Sequence, residues 1–77
     1  MRALVIEDEA VLFQAIERAL EKLGHRVRWA SRCEHGERSF NEERPDLTLL
    51  DLRLPDGSGL ELLPRLRARD PDAPIII

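Results

Sequence analysis

Three carboxylates in this chain stand at the ends of apolar runs. Glu7 and Asp8 follow Ala3-Leu4-Val5-Ile6, and Asp51 follows Leu47-Thr48-Leu49-Leu50. Acids brought together repel, and each favours its protonated form unless a cation joins them. An all-oxygen donor set suits a hard ion, and Mg²⁺ typically takes one or two carboxylates, a backbone oxygen and water. A carboxylate beside such an ion can also attack phosphorus and form an aspartyl phosphate. Helix capping is the competing use of such acids. Glu9, at the start of a helix, is read as serving that purpose alone, whereas Glu7, Asp8 and Asp51 together are read as a site.

The elements that must position these acids follow from the hydrophobic pattern. The run Ala3 to Ile6 reads as a parallel strand covered on both faces. A helix to about Leu23 carries Leu12, Ile16, Ala19, Leu20 and Leu23 at helical spacing, and Gly24 stands where a C-terminal cap belongs. Arg26 to Ala30 alternates polar and apolar residues, as an edge strand does. A weaker helix, about Glu34 to Glu43, contains Gly36 and Ser39. Leu47 to Leu50 is the third strand. A third helix opens at Ser58, with Glu61 in capping-box relation and Leu60, Leu62, Leu63 and Leu66 as its apolar face. Pro64 inside it removes one backbone bond. Ile75-Ile76-Ile77 begins a fourth strand.

The order β-α-β-α-β-α-β with short connections predicts an α/β fold with a parallel sheet. In such open sheets, ligands collect beyond the carboxyl ends of strands where the strand order reverses. For the order 2-1-3-4 that point lies between the first and third strands, so Glu7, Asp8 and Asp51 converge in one crevice. Composition limits the rest. A chain of 77 residues suits one small domain, and 43% hydrophobic with 35% charged residues is the balance of a soluble globular protein. A net charge of -3 gives no attraction to nucleic acid or to anionic membranes. Cys33 is the only cysteine, which excludes an internal disulfide and fits a reducing, cytoplasmic setting. No run reaches transmembrane length and no signal peptide is read.

"LVIEDEAVL" and "RPDLTLLDLRLPDGSGLELL" resemble the acidic-pair strand and the phospho-acceptor strand and loop of the receiver domain of two-component response regulators. That resemblance implies a flavodoxin-like doubly wound sheet, with Asp51 as phospho-acceptor and Pro55 and Gly59 shaping the turn after it. It implies Mg²⁺ bound directly by Asp8, Asp51 and the backbone carbonyl of Arg53, with Glu7 contributing through water. It implies a histidine kinase as phosphodonor. The acceptor loop is also similar to that of regulators that activate transcription, with no direct nucleic-acid contact expected from this domain. Family members carry a hydroxyl residue just after the fourth strand and a lysine after the fifth. Lys22, the only lysine here, sits in the first helix. Residues 1–77 are therefore expected to form an incomplete receiver, lacking the end of the fourth strand, the fourth helix, the fifth strand and the fifth helix.

Two further functions compete. One is a receiver-like binding module that no longer signals by phosphorylation. The other is a phosphatase or phosphotransferase with an aspartyl nucleophile; such enzymes commonly place a second acid two residues on, where this chain has Arg53, so no enzymatic role is expected. His25, His35, Cys33 and the basic run Arg65, Arg67 and Arg69 read as ordinary surface or helix-start residues. Trp29, on the second strand, reads as a packed edge aromatic, placed too far from the acids to report on them. The apolar edge at Ile75 to Ile77 and an uncovered sheet face beside the first helix predict a homodimer or a swapped assembly.

Overall fold

Alternating apolar and charged segments along the chain become a parallel sheet flanked by helices in a computed structural model that describes residues 1–77. The elements are β1 (Arg2–Ile6), α1 (Ala10–Lys22), β2 (Arg26–Ala30), α2 (Cys33–Glu43), β3 (Leu47–Leu50), β4 (Arg53–Leu54), β5 (Gly57–Ser58), α3 (Gly59–Arg69) and β6 (Ile75–Ile76). The main sheet has the order β2-β1-β3-β6, all parallel. This is the expected 2-1-3-4 order, with β6 as the fourth strand of the sheet. The segment between β3 and α3 contains an addition that its turn-forming residues did not announce. β4 and β5 pair as a small antiparallel hairpin, Arg53 opposite Ser58 and Leu54 opposite Gly57.

β1 is the centre of the molecule, and Ala3, Leu4, Val5 and Ile6 are all buried. Side chains alternate across a strand, so Leu4, Ile6 and Leu50 face one side. There they join Phe40 of α2 and Leu62 and Leu66 of α3 in the main core. The opposite face, with Val5 and Leu49, meets Ile16 of α1 and Ile76 along a groove of about 410 Å³ that also reaches Glu7 and Asp51. Gly24, at φ +86° just past α1, adopts the left-handed cap conformation that its position predicted, and its N–H bonds the Glu21 carbonyl.

Two helix faces differ from expectation. In α1 the buried residue is Phe13, while Leu12 and Ala19, and Leu23 just past its end, are exposed. Phe13 joins the partly buried Ile16 and Leu20 on the inner face and stacks on Trp29, with ring centroids 4.6 Å apart. In α3, Leu60 is 60% exposed. It lies two residues, about 200°, around the helix from Leu62, so it points away from the Leu62–Leu66 face. The capping box is half formed: the Ser58 hydroxyl accepts from the Leu60 N–H at 3.1 Å. α3 continues through Pro64. No helix is long and apolar enough to cross a membrane.

Candidate functional site

β1 and β3 pair directly, Ile6 beside Leu50, so the residues that follow them leave the sheet side by side. The Asp51 N–H bonds the Ile6 carbonyl at 2.9 Å, and the Glu7 N–H bonds the Ala30 carbonyl of β2 at 2.9 Å. The carboxylate oxygens offered by Glu7, Asp8 and Asp51 all lie within 4.8 Å of one another. Two full charges at that separation repel by roughly 3 kcal/mol at the effective dielectric of a protein surface. Glu7 is the most enclosed of the three and only 7% exposed. Burial pushes its carboxyl above the ordinary value of 4.5, the Glu9 N–H at 3.1 Å pulls it partly back, and the neighbouring Asp51 charge raises it again. Asp8 is exposed and Asp51 half-buried, so the cluster opens to solvent. Glu9 itself caps nothing with its side chain; its backbone N–H serves Glu7 instead.

The loop after Asp51 is held from several directions. The Arg53 N–H donates to Asp51 Oδ1 at 3.3 Å, which places the Arg53 main chain against the Asp51 carboxylate. The Gly59 N–H bonds the Leu52 carbonyl at 2.9 Å. Pro55 and Asp56 form the tip of the β4–β5 hairpin. From that tip Asp56 accepts the N–H groups of Cys33 (2.7 Å) and Glu34 (3.0 Å), capping α2 across the fold. Those two donors hold its carboxyl below the usual aspartate range. Burial, with the Asp56 charge after it, pushes the Cys33 thiol up, which disfavours its thiolate form. The role of Asp56 was hidden in sequence because its partners lie more than twenty residues upstream.

Trp29 is closer to the site than its strand suggests. Its indole N–H donates to the Glu7 carbonyl at 2.6 Å. An edge-strand tryptophan therefore touches the backbone of the acidic cluster, which corrects the expectation that it stands apart. Nothing in the sequence marks this contact. The arginines of α3 are also more than a solvated face: Arg65 forms a two-pronged bridge with Glu37, both contacts at 3.0 Å, and Arg67 donates to the Pro71 and Ala73 carbonyls. His25 lies against the N-terminal amine, and neither histidine joins the acidic cluster.

The donor set meets the requirement of a hard divalent cation. Three carboxylates supply negative charge and oxygen atoms only, and the charge of Asp51 adds to burial in raising the Glu7 carboxyl. A doubly wound parallel sheet with acids at the carboxyl ends of β1 and β3 defines a class of fold and site together. Within that class, residues 3–77 match the response regulator receiver domain, and the chain belongs to that family. It is 38% identical over its whole length to the transcriptional regulatory protein PhoP of Escherichia coli strain K12, covering 34% of that protein. The chain thus spans about a third of the length of the curated relatives it matches. Among solved structures it is similar to the response regulator TrrA of Thermotoga maritima in complex with Mg²⁺ and BeF, with a TM-score of 0.94 and 32% identity over 99% of this chain and 66% of that one. TrrA has also been solved in complex with the histidine kinase ThkA (TM-score 0.89, 31% identity, 96% and 64% coverage). A response regulator from Burkholderia pseudomallei with a phosphorylated aspartic acid, calcium ion and citrate matches with a TM-score of 0.88 and 34% identity, over 96% of this chain and 44% of that one.

Proposed function

We propose that this receiver takes a phosphoryl group on Asp51 from a partner histidine kinase. The observation that carries the reading is the meeting of Glu7, Asp8 and Asp51, from two separate strand ends, within 4.8 Å. A carboxylate oxygen of Asp51 attacks the phosphorus of a phosphohistidine. The new P–O bond gives a mixed anhydride, the P–N bond breaks, and the imidazole leaves with its electron pair and takes up a proton. Asp8, Asp51 and the Arg53 carbonyl would hold Mg²⁺ directly, with Glu7 acting through a water molecule. The ion, when bound, supplies positive charge to the phosphoryl oxygens. The main chain at Arg53 orients Asp51, and buried Glu7 sets one wall of the cation position.

The relatives support the partner and the cation: one has been solved with a histidine kinase and with Mg²⁺, and another with a phosphorylated aspartate. Incubation with a small phosphodonor and Mg²⁺, followed by trapping of the acyl phosphate, tests the reading. Label on Asp51, lost in Asp51→Ala, is expected. Label that survives that substitution contradicts the assignment, and complete absence of label favours a receiver-like binding module.

A further inference from the structure

We infer that Trp29 is a positioning residue for the acidic site, holding through its indole N–H the peptide that joins Glu7 to Asp8. This rests on the reading of Glu7, Asp8 and Asp51 as a cation site. The carbonyl of Glu7 and the N–H of Asp8 belong to one planar peptide unit. A hydrogen bond to that carbonyl therefore sets the plane from which Asp8 departs. The Trp29 bond to it is 2.6 Å long. On the other side of Glu7, its N–H is fixed to Ala30, the next residue along β2. Both backbone groups of Glu7 are thus held by β2, and the Glu9 N–H holds its carboxylate.

The indole is itself fixed. Phe13 of α1 stacks on it at 4.6 Å with the ring planes 11° apart. Trp29 remains 36% exposed as a residue, and its N–H is committed to Glu7. Two acids that repel will spread apart wherever the backbone allows. Asp8, the exposed member of the cluster, depends most on the plane of its preceding peptide. Trp29 thereby joins β1, β2 and α1 at the point where the cation donors begin.

The test is a titration of the 77-residue chain with MgCl₂, followed by backbone amide NMR at residues 8 and 51 to 53 and by the indole N–H resonance. The chain has one tryptophan, so that resonance needs no assignment. The indole signal is expected to move with the same midpoint as the Asp51 amide. Trp29→Phe keeps a ring on Phe13 and removes the donor; it should weaken Mg²⁺ binding roughly two- to tenfold, the worth of one ordinary hydrogen bond. Phe13→Leu removes the stack and keeps the donor, and should shift the midpoint less than Trp29→Phe does. An indole resonance that stays still while the Asp51 amide moves, or equal weakening by both substitutions, overturns the role of the N–H. Amides at residues 8 and 51 that ignore Mg²⁺ in the unsubstituted chain overturn the cation site itself, and this role with it.

Discussion

Gly59 lies so close to Asp51 that a Cβ at position 59 would stand 2.2 Å from the Asp51 carbonyl oxygen. The neighbour is backbone, so no side-chain rotation relieves the contact. The start of α3 is thereby pressed against the residue that carries the proposed phosphoryl group, and only glycine permits it. Gly59→Ala is expected to destabilise the chain by about 1–3 kcal/mol, the usual cost of overpacking, and to displace the loop from Asp51 to Arg53. A thermal melt and the amide shifts of those residues check both. An unchanged melt would mean that α3 can move away freely.

Asp51→Asn removes one charge from the cluster while keeping the shape of the side chain. Without metal, the variant should be more stable by about 1 kcal/mol, a rise in the melting midpoint of roughly 4–8 °C for a domain this small. The raised carboxyl of Glu7 fixes the sign of the pH effect. Its favourable contribution is full below the ordinary value of 4.5 and is lost as the pH rises through its folded value. The metal-free chain should therefore weaken over that rise, and millimolar Mg²⁺ should offset the loss. A lower midpoint for Asp51→Asn would show that the acids do not repel as placed.

Asp56 titrates in the opposite sense. The N–H groups of Glu34 and Cys33 hold its folded carboxyl below 3.8, so its stabilising contribution is present above that value and is lost as the pH falls through the folded one. Asp56→Ala should lower the melting midpoint at neutral pH, with the gap from the unsubstituted chain closing in acid. A gap that is the same at pH 7 and pH 3 would mean that the charged cap on α2 contributes nothing.

Gly36 makes the second close approach. A Cβ there would lie 2.7 Å from Cδ1 of Ile6. Alanine is the better helix former by about 1 kcal/mol, yet Gly36→Ala is expected to destabilise because Ile6 is fully buried. Ile6→Val removes the offending methyl. The double variant should therefore be more stable than the two single effects predict, and strict additivity in chemical denaturation would refute the contact.

Ile76 and Ile77 are 56% and 59% exposed beside the groove lined by Ile16, Val5 and Leu49. Burial of one isoleucine is worth about 1.5–3 kcal/mol. The 77-residue chain alone should self-associate through this edge, and light scattering over a concentration series will follow it. A monomer at every concentration with a cooperative melt would refute the association.

Element order, sheet order and the three acids could be read from the chain because each rests on a local pattern. Apolar runs such as Ala3 to Ile6 end in acids, and turn residues such as Gly24 mark the boundaries. The hairpin of β4 and β5 escaped because two-residue strands carry no periodicity. Leu60 misled because four leucines in α3 look like one stripe until the helical angle is counted. Gly36 reads as a weak helix residue until Ile6 is seen beneath it. Asp56 and Trp29 act on residues more than twenty positions away, and no spacing rule encodes such a contact.

The pairing of β1 with β3 has a consequence for how the chain acquires its shape. The proposed cation donors are split between residues 7 and 8 and residue 51, and only the closed sheet unites them. An unfolded chain offers a divalent ion the neighbouring acids Glu7 and Asp8 without Asp51, a weaker set of ligands. Affinity for the ion is thus created by folding, and the free energy of binding returns as resistance to opening. In hydrogen exchange, saturating Mg²⁺ should slow the amides of β1 and β3 together while leaving the C-terminal turn of α1 unaffected. The ion would act as a latch on the middle of the sheet.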